Sequence, residues 1–262
     1  MPSPRSAEAL DFRTVIEKIS YSKSSPVEVF KDFVRISACA LACQTREEEY
    51  HEILRRYRQE EMEQLSRAFA GFVTECERRP FADLLGQYYE TISSKVSRDQ
   101  RGEFFTPEPV SEFMARILFD VEQVIAEGLP VTLSEPACGS GGIILQVAKQ
   151  LAPPLADPEK SYVDLLRVTA QDISPLACDM CYVNTTLWGI PTRVVQGNTL
   201  SGEVTKVWRN IHWMRVREDQ RLAWRRAFQL LTRPVGVPET KAPEPAETIP
   251  PDAFPSEQME LF

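Results

Sequence analysis

Residues 131–145 constrain the fold of this chain more than any other stretch. Val131 to Ser134 alternates apolar and polar residues, which is typical of a short β-strand. Pro136 ends that strand, three glycines follow within residues 139–142, and an apolar helical run begins at Ile143. A strand, a glycine loop and a helix in this order place backbone N–H groups at a helix N-terminus, where a ligand can bind.

The pattern of glycines narrows the choice of ligand. A dinucleotide fingerprint needs a third glycine where this chain has Ile144, and a P-loop needs a lysine that does not follow here. A nucleoside without a pyrophosphate remains, and S-adenosylmethionine fits, because the dipole of the following helix favours its carboxylate. Taken alone, the loop favours a plain tight turn in an α/β protein over a ligand site.

Two further strands are predicted downstream, at Leu166–Asp172 and Thr192–Asn198. Between them, Ser174 and Pro175 form a helix start signal. Alternating strands and helices predict parallel strands whose carboxyl ends meet at one edge of a sheet. We therefore expect Glu135, Asp172 and Asn198 to line one crevice, with the acid of Asp172 suited to ribose hydroxyls and the amide of Asn198 to an adenine edge.

Four motifs occur in a fixed order: Gly102 to Pro107 (GEFFTP), Glu135 to Gly142 (EPACGSGG), Gln171 to Ile173 (QDI) and Gly197 to Leu200 (GNTL). Over roughly residues 80–203 the chain resembles the adenine-N6 DNA methyltransferases, in particular the modification subunits of type I restriction-modification systems. The resemblance implies an α/β class I S-adenosylmethionine-dependent methyltransferase fold, Rossmann-like with a mostly parallel sheet, preceded by an N-terminal helical domain. It also implies DNA and a partner subunit as partners.

The resemblance assigns a role to each cofactor-binding residue. Glu135 and Gly139 belong to the cofactor loop, Asp172 would contact the ribose and Asn198 the adenine. The methionine end would lie against Ser140, Gly141 and Gly142, and the cofactor would be covered by Glu103, Phe104, Phe105, Thr106 and Pro107. Thr106 and Pro107 also form a helix start signal, which does not explain the two aromatic residues before them.

One element of the resembled family is missing. Its members carry an Asn-Pro-Pro-aromatic tetrapeptide beyond the position of Leu200, which accepts hydrogen bonds from the adenine amine and stacks on the flipped base. No Asn-Pro-Pro, Asp-Pro-Pro or Ser-Pro-Pro occurs in this chain, and residues 201–215 show no apolar strand run. We therefore expect no strand in that segment. Loss of methyl transfer is the favoured reading; a partner that supplies the base pocket and an unrelated site remain alternatives.

The rest of the chain is organised around this region. Residues 1–97 are predicted to form a helical domain, with helices at 26–41, 47–57, 60–77 and 81–92, and residues 98–232 are predicted to form the methyltransferase-like domain.

The net charge of −8 gives no general argument for nucleic-acid binding. The N-terminus lacks the apolar core of a signal peptide, no apolar run could span a membrane, and the six cysteines favour small buried thiols in a reducing, bacterial cytoplasm.

The C-terminal part has a different composition. Arginines alternate with aromatic residues after Asn198, and Arg209, Arg215, Arg217 and Arg225 are candidate nucleic-acid contacts, although the outside of a packed final helix has the same pattern. Residues 233–262 are proline-rich and predicted to be disordered. The last five residues resemble the peptide by which bacterial proteins bind the sliding clamp, with Gln258, Met259, Leu261 and Phe262 as contacts.

Overall fold

The N-terminal part of the protein is a bundle of five helices. The computed structural model describes residues 10–23, 25–42, 45–93, 105–118, 120–128, 130–152 and 165–217. The five helices are α1 (Phe12–Ser20), α2 (Pro26–Leu41), α3 (Glu47–Leu54), α4 (Gln59–Arg78) and α5 (Leu84–Ser93). Helices α2 to α5 were predicted individually, because apolar residues recur there at helical spacing and Ser25, whose side chain accepts from Glu28 N, caps α2 ahead of Pro26. Helix α1 lies in the segment that was predicted to be helical without its own bounds.

The second part alternates helices and strands. Its helices are α6 (Glu108–Leu118), α7 (Val121–Glu127), α8 (Gly142–Leu151) and α9 (Pro175–Leu187), with a further helical segment over residues 211–217. Its strands are β1 (Val131–Glu135), β2 (Leu166–Asp172), β3 (Thr192–Asn198) and β4 (Glu203–Arg209). The sheet order is β1-β2-β3-β4, with β1–β2 and β2–β3 parallel, which confirms the α/β fold with a mostly parallel sheet.

The prediction that residues 201–215 contain no strand is wrong, because β4 pairs antiparallel with β3. Most of β4 is exposed, so it needs no run of apolar residues, and backbone pairing together with β-branched Val204, Thr205 and Val207 suffices. The turn from β3 to β4 uses Gly202 at a φ of 73°. At the β3 bulge, a Cβ on Gly197 would lie 2.2 Å from Glu203 O, so the close approach of the two strands requires glycine there.

One hydrophobic core runs through both parts. Helix α9 packs against β2 and β3 on one side and against α2 and α5 on the other. Core residues from the helices, such as Phe30 and Leu85, therefore belong to the same cluster as Val168 and Val194 of the sheet. The predicted domain boundary between residues 97 and 98 lies outside the described residues and stays a prediction.

A buried group of charges also joins the two parts. Asp179 of α9 accepts from Arg46 Nη1 at 2.8 Å and from Arg35 Nε at 2.9 Å. Burial alone would lower the pKa of Arg46, but the charge of Asp179 and the bond to Glu49 raise it, so this guanidinium stays charged. Arg46 also lies 4.7 Å from the ring of Trp208 in β4, so a single side chain connects α9, α3 and the edge of the sheet.

The described cysteines are free and buried, as predicted: Cys39, Cys76, Cys138, Cys178 and Cys181. Burial raises the pKa of Cys39 to about 11, which makes its thiol unreactive at neutral pH. None of the helices in the described ranges combines the length and apolarity that crossing a lipid bilayer requires.

Candidate functional site

The candidate site lies at the strand-end edge, by which we mean the carboxyl ends of β1, β2 and β3. Because these strands are parallel and adjacent, Glu135, Asp172 and Asn198 end at the same edge of the sheet. A further contact joins the outer two strand ends, since Thr199 Oγ1 donates to Pro136 O at 2.6 Å. The structure therefore brings the three polar residues predicted from the sequence to one place.

The glycine loop, residues 136–141, connects β1 to α8 at this edge. Gly139 and Gly141 have φ angles of 52° and 91°, which glycine adopts without the strain that a side chain would add. Cys138 N donates to Gln171 O at 2.8 Å, so the loop is fixed against β2. Gly141 caps α8 without a side-chain hydrogen bond, which leaves the first N–H groups of that helix available to an anion.

Asp172 fixes the loop from the next strand. Its Oδ2 accepts from Gly139 N at 2.8 Å, and its Oδ1 accepts from Ser174 N at 2.9 Å. Each carboxylate oxygen has a second lone pair, so both can accept a further hydrogen bond from a ligand. Burial, with a contribution from the nearby charge of Asp172, raises the pKa of Glu135 at the end of β1.

Asn198 ends β3 with its amide nitrogen unused by the described residues. Its Oδ1 accepts from the backbone N–H groups of Leu200 and Ser201, at 3.0 and 3.4 Å. Because Oδ1 is used in this way, Nδ2 is the atom of the amide that is available to a ligand. Two apolar side chains directly beyond the strand ends are exposed, Ile173 by 67% and Leu200 by 99%. Neither side chain was predicted to line the site, although a position one or two residues after a strand-end polar residue is a usable signal.

Phe105, Thr106 and Pro107 lie over the glycine loop. A Cβ on Gly139 would be 3.1 Å from Phe105 Cδ1, and the Phe105 ring packs edge-on against Tyr89. Pro107 O accepts the first hydrogen bonds of α6, so that helix begins one residue later than its predicted start signal. Glu103 and Phe104 lie outside the described residues.

Sequence reasoning missed Asp83, which holds the glycine loop from the N-terminal helices. Its Oδ2 accepts a short hydrogen bond from Ser140 Oγ, and its Oδ1 accepts from Gly86 N at 3.0 Å and from Asn184 Nδ2 at 3.1 Å. Asn184 also donates to Ser140 O at 2.9 Å. Burial raises the pKa of Asp83, against the opposing effect of its three donors.

The position of Asp83 is fixed by an unusual backbone conformation just before it. Phe81 has a φ of 61°, which is rare for a residue with a large side chain. Its carbonyl accepts from Gln146 Nε2 of α8, and its ring stacks on Trp188 with centroids 4.4 Å apart. These contacts offset the strain and direct residues 82 and 83 towards the loop.

The predicted arginine contacts do not lie at the strand-end edge. Arg209 is the last residue of β4, which runs antiparallel, so it lies beside the start of β3. Arg215 and Arg217 are exposed on the helical segment 211–217. Arg225 and the C-terminal residues Gln258, Met259, Leu261 and Phe262 fall outside the part of the chain that the structure describes.

Comparison with known proteins gives a family for this fold and site. The model of the N-6 DNA Methylase family matches residues 81–217, more than half of the chain. The chain belongs to this family. The match confirms the resemblance drawn from the four motifs, and it covers β1 to β4 together with the glycine loop.

The chain spans only part of the length of the relatives that it matches. The methylase subunit of the type I restriction enzyme MpnII from Mycoplasma pneumoniae is 30% identical over 132 residues, which are 48% of this chain and 22% of that protein. A modification subunit of a putative type I restriction enzyme from Vibrio vulnificus is 24% identical, over 44% of this chain and 23% of that one, with a TM-score of 0.35. A putative class I S-adenosylmethionine-dependent methyltransferase from Listeria monocytogenes is 15% identical over 74% of this chain and 55% of that one, with a TM-score of 0.42.

Proposed function

We propose that this protein binds S-adenosylmethionine at the strand-end edge and works with DNA as a member of the N-6 DNA methylase family. The observation that carries the proposal is the convergence of Glu135, Asp172 and Asn198 on a glycine loop that is held open by two left-handed glycines. Phe105 covers the loop from outside the sheet. A nucleoside with a charged amino-acid end fits this set of groups.

The nucleoside half of the cofactor fits between β2 and β3. The free lone pairs of Asp172 are suited to the two ribose hydroxyls. The adenine ring would lie between the exposed side chains of Ile173 and Leu200, and the amide nitrogen of Asn198 would donate to the ring edge. Apolar faces with one polar edge contact are the usual way in which proteins bind a flat base.

The amino-acid half fits at the start of α8. The Ser140 hydroxyl is buried and donates to Asp83, and Gly141 N donates to Cys138 O. The methionine carboxylate would therefore be bound by the backbone N–H groups of Ser140 and Gly142 rather than by the Ser140 hydroxyl. Glu135, at the end of β1, would accept from the methionine ammonium. The cofactor itself would supply an electrophilic methyl group on its sulfonium.

The methyl-accepting step is a separate question. The 262 residues contain no Asn-Pro-Pro-aromatic tetrapeptide, so no group in this chain matches the family's acceptor for the adenine amine. We expect the chain alone to transfer no methyl group to adenine-containing DNA. Two roles then remain: a subunit whose partner supplies the base pocket, and a catalytically inactive accessory protein that binds DNA.

Calorimetric titration with S-adenosylmethionine tests the cofactor proposal. We expect micromolar binding, and at least a tenfold weaker affinity for Asp172→Ala, because charge-assisted hydrogen bonds contribute about 1.5–3 kcal/mol each. Asp120→Ala is the matched control, since Asp120 also accepts from two backbone N–H groups but caps α7. Absence of heat with a folded protein, or equal affinity in both variants, would rule the site out.

The C-terminal peptide carries a second, independent proposal. Gln258, Met259, Leu261 and Phe262 follow a proline-rich, acidic stretch and match the pattern of a clamp-binding peptide, in which a glutamine makes polar contacts and Leu-Phe fills an apolar pocket. A labelled peptide of residues 250–262 should bind a bacterial sliding clamp in a fluorescence anisotropy titration. A peptide that lacks Leu261 and Phe262 is the control, and equal signals from both would eliminate the proposal.

A further inference from the structure

Two arginines lie directly opposite each other in the β3–β4 ladder. Arg193 of β3 pairs with Arg209 of β4 in the antiparallel register, so both side chains lie on the same face of the sheet. Like charges in this arrangement repel and weaken the pairing of the strands. Arg193 is half-buried and Arg209 is exposed, so the Arg209 guanidinium is open to solvent.

A third arginine is held close to this pair. The buried Asn210 accepts from Thr192 N at 3.1 Å and donates to Ile190 O at 2.7 Å, which fixes the segment after β4 against the start of β3. Asn210 Oδ1 also accepts from Trp213 N, and the guanidinium of Arg217 lies 5.9 Å from the Trp213 ring. We call Arg193, Arg209 and Arg217 the arginine cluster.

Within the cluster, Arg209 lies in the field of the other two guanidinium groups. Burial lowers the pKa of Arg209, and the charges of Arg193 and Arg217 lower it further. No acid contributes in the opposite direction to Arg209. The three side chains therefore form a local concentration of positive charge.

Among the described residues the arginine cluster has no acidic partner, although acids are plentiful in the sequence. The sequence has 38 acidic and 30 basic residues, and other arginines use them: Arg13 binds Glu75 and Arg46 binds Asp179. Across the described ranges, no salt bridge or hydrogen bond reaches the side chains of the arginine cluster. Arg193 Nε and Trp213 Nε1 are buried donors without an acceptor in the described part of the chain, so packing alone does not satisfy these two side chains there.

We propose that the arginine cluster and Trp213 form a binding site for the phosphodiester backbone of DNA, separate from the cofactor site. Guanidinium groups match phosphate oxygens in geometry, and an adjacent aromatic ring is a common companion in nucleic-acid surfaces. The choice of DNA over other polyanions rests on the proposed function and on family membership.

The location of the site sets what it can do. Arg193 is near the start of β3 and Asn198 at its end, so about 17 Å of strand separates the cluster from the strand-end edge. A phosphate bound there is too far away to belong to a base that reacts at the cofactor. The cluster would instead hold flanking DNA and fix the position of the protein on it, and its DNA affinity should not require S-adenosylmethionine.

The test uses the full chain and a fluorescein-labelled duplex oligonucleotide. Anisotropy titrations between about 50 and 200 mM salt give the slope of log affinity against log salt. The magnitude of this slope decreases by about 1 for each phosphate contact that is removed. The double variant Arg209→Gln/Arg217→Gln should lower this slope by about 2. The matched control is Arg55→Gln/Arg78→Gln, which removes the same charge from two exposed arginines of the helical bundle and should leave the slope unchanged.

Stability separates a binding role from a structural one. Because Arg209 faces a like charge, Arg209→Gln should leave the melting temperature unchanged or raise it while it weakens DNA binding. Equal salt slopes for the two double variants, or no binding of the wild type at the lowest salt, would overturn the inference. Calorimetry with S-adenosylmethionine on the same double variant should match the wild type, so failure of the cluster and failure of the cofactor site give different results.

Discussion

Removal of Asp179 should destabilise this protein far more than removal of a surface acid with equally good hydrogen-bond geometry. In Asp179→Ala, the guanidinium of Arg46, 2% exposed, loses a partner at 2.8 Å, and Arg35 loses one at 2.9 Å. Breaking a buried pair on one side costs about 3–5 kcal/mol, because the remaining charge stays buried. Glu49 still accepts from Arg46 at 2.7 Å, so we expect the lower end, about 3 kcal/mol.

Glu112→Ala is the matched control. Glu112 accepts from Arg116 at 2.6 Å, but the two side chains are 37% and 68% exposed, and such i, i+4 pairs contribute about 0.3–0.5 kcal/mol. Both substitutions place alanine inside a helix, so their effects on helix propensity are alike. The N–O distances of the two ion pairs are nearly the same, so the two substitutions differ mainly in how deeply the pair is buried.

Urea unfolding followed by far-UV circular dichroism measures the difference, provided that the m-values agree. A free energy of unfolding for Asp179→Ala within about 1 kcal/mol of that for Glu112→Ala would refute the reasoning. The double variant Arg46→Met/Asp179→Leu extends the test. It removes both buried charges, and it should recover most of the stability that Asp179→Ala loses.

Three further predictions follow from other contacts. Gly197→Ala should cost about 1–3 kcal/mol and speed hydrogen exchange in β4, because the new Cβ would lie 2.2 Å from Glu203 O; Gly128→Ala, with open space at its Cβ, is the control for strain alone. Burial would raise the pKa of Glu61, but the N–H and guanidinium of Arg58 lower it to about 2. The ionised Glu61 therefore stabilises the folded state fully above the unfolded pKa of about 4.3, and this contribution is lost as the pH falls towards 2. Acid titration of Glu61→Gln should therefore show a shallower loss of stability over that window. Asp83→Ala should weaken binding of S-adenosylmethionine in calorimetry through the loosened glycine loop, whereas Asp83→Asn, which keeps an acceptor for Gly86 N, should weaken it less.

The parts of the fold that local sequence determines were predictable. Ser174 and Pro175 mark the start of α9, and the three glycines between β1 and α8 mark the loop, because caps and left-handed turns depend on residue type. Strand β4 was missed because it is stabilised mainly by pairing with β3 rather than by its own side chains.

Contacts between distant residues were not predictable from one sequence. Asp83 lies 57 residues before Ser140, and only the fold brings them together. The same holds for Arg193 and Arg209, whose opposition depends on the strand register. From the local sequence, Asp83 can be recognised as a helix cap ahead of an apolar helical run, but its bond to Ser140 cannot be predicted.

The position of Arg46 has a consequence for how the chain reaches this structure. Its bond to Asp179 spans 133 residues, and its contact with Trp208 spans more. Contacts of such high sequence separation bring no stabilisation until a long loop has closed, and folding slows as their share grows. The helices α1 to α5 therefore cannot complete their core during synthesis before α9 and β4 have emerged. We expect folding to be limited by a late docking step in which the Arg46 side chain is dehydrated and the N-terminal helices join α9 and β4 in one cooperative unit.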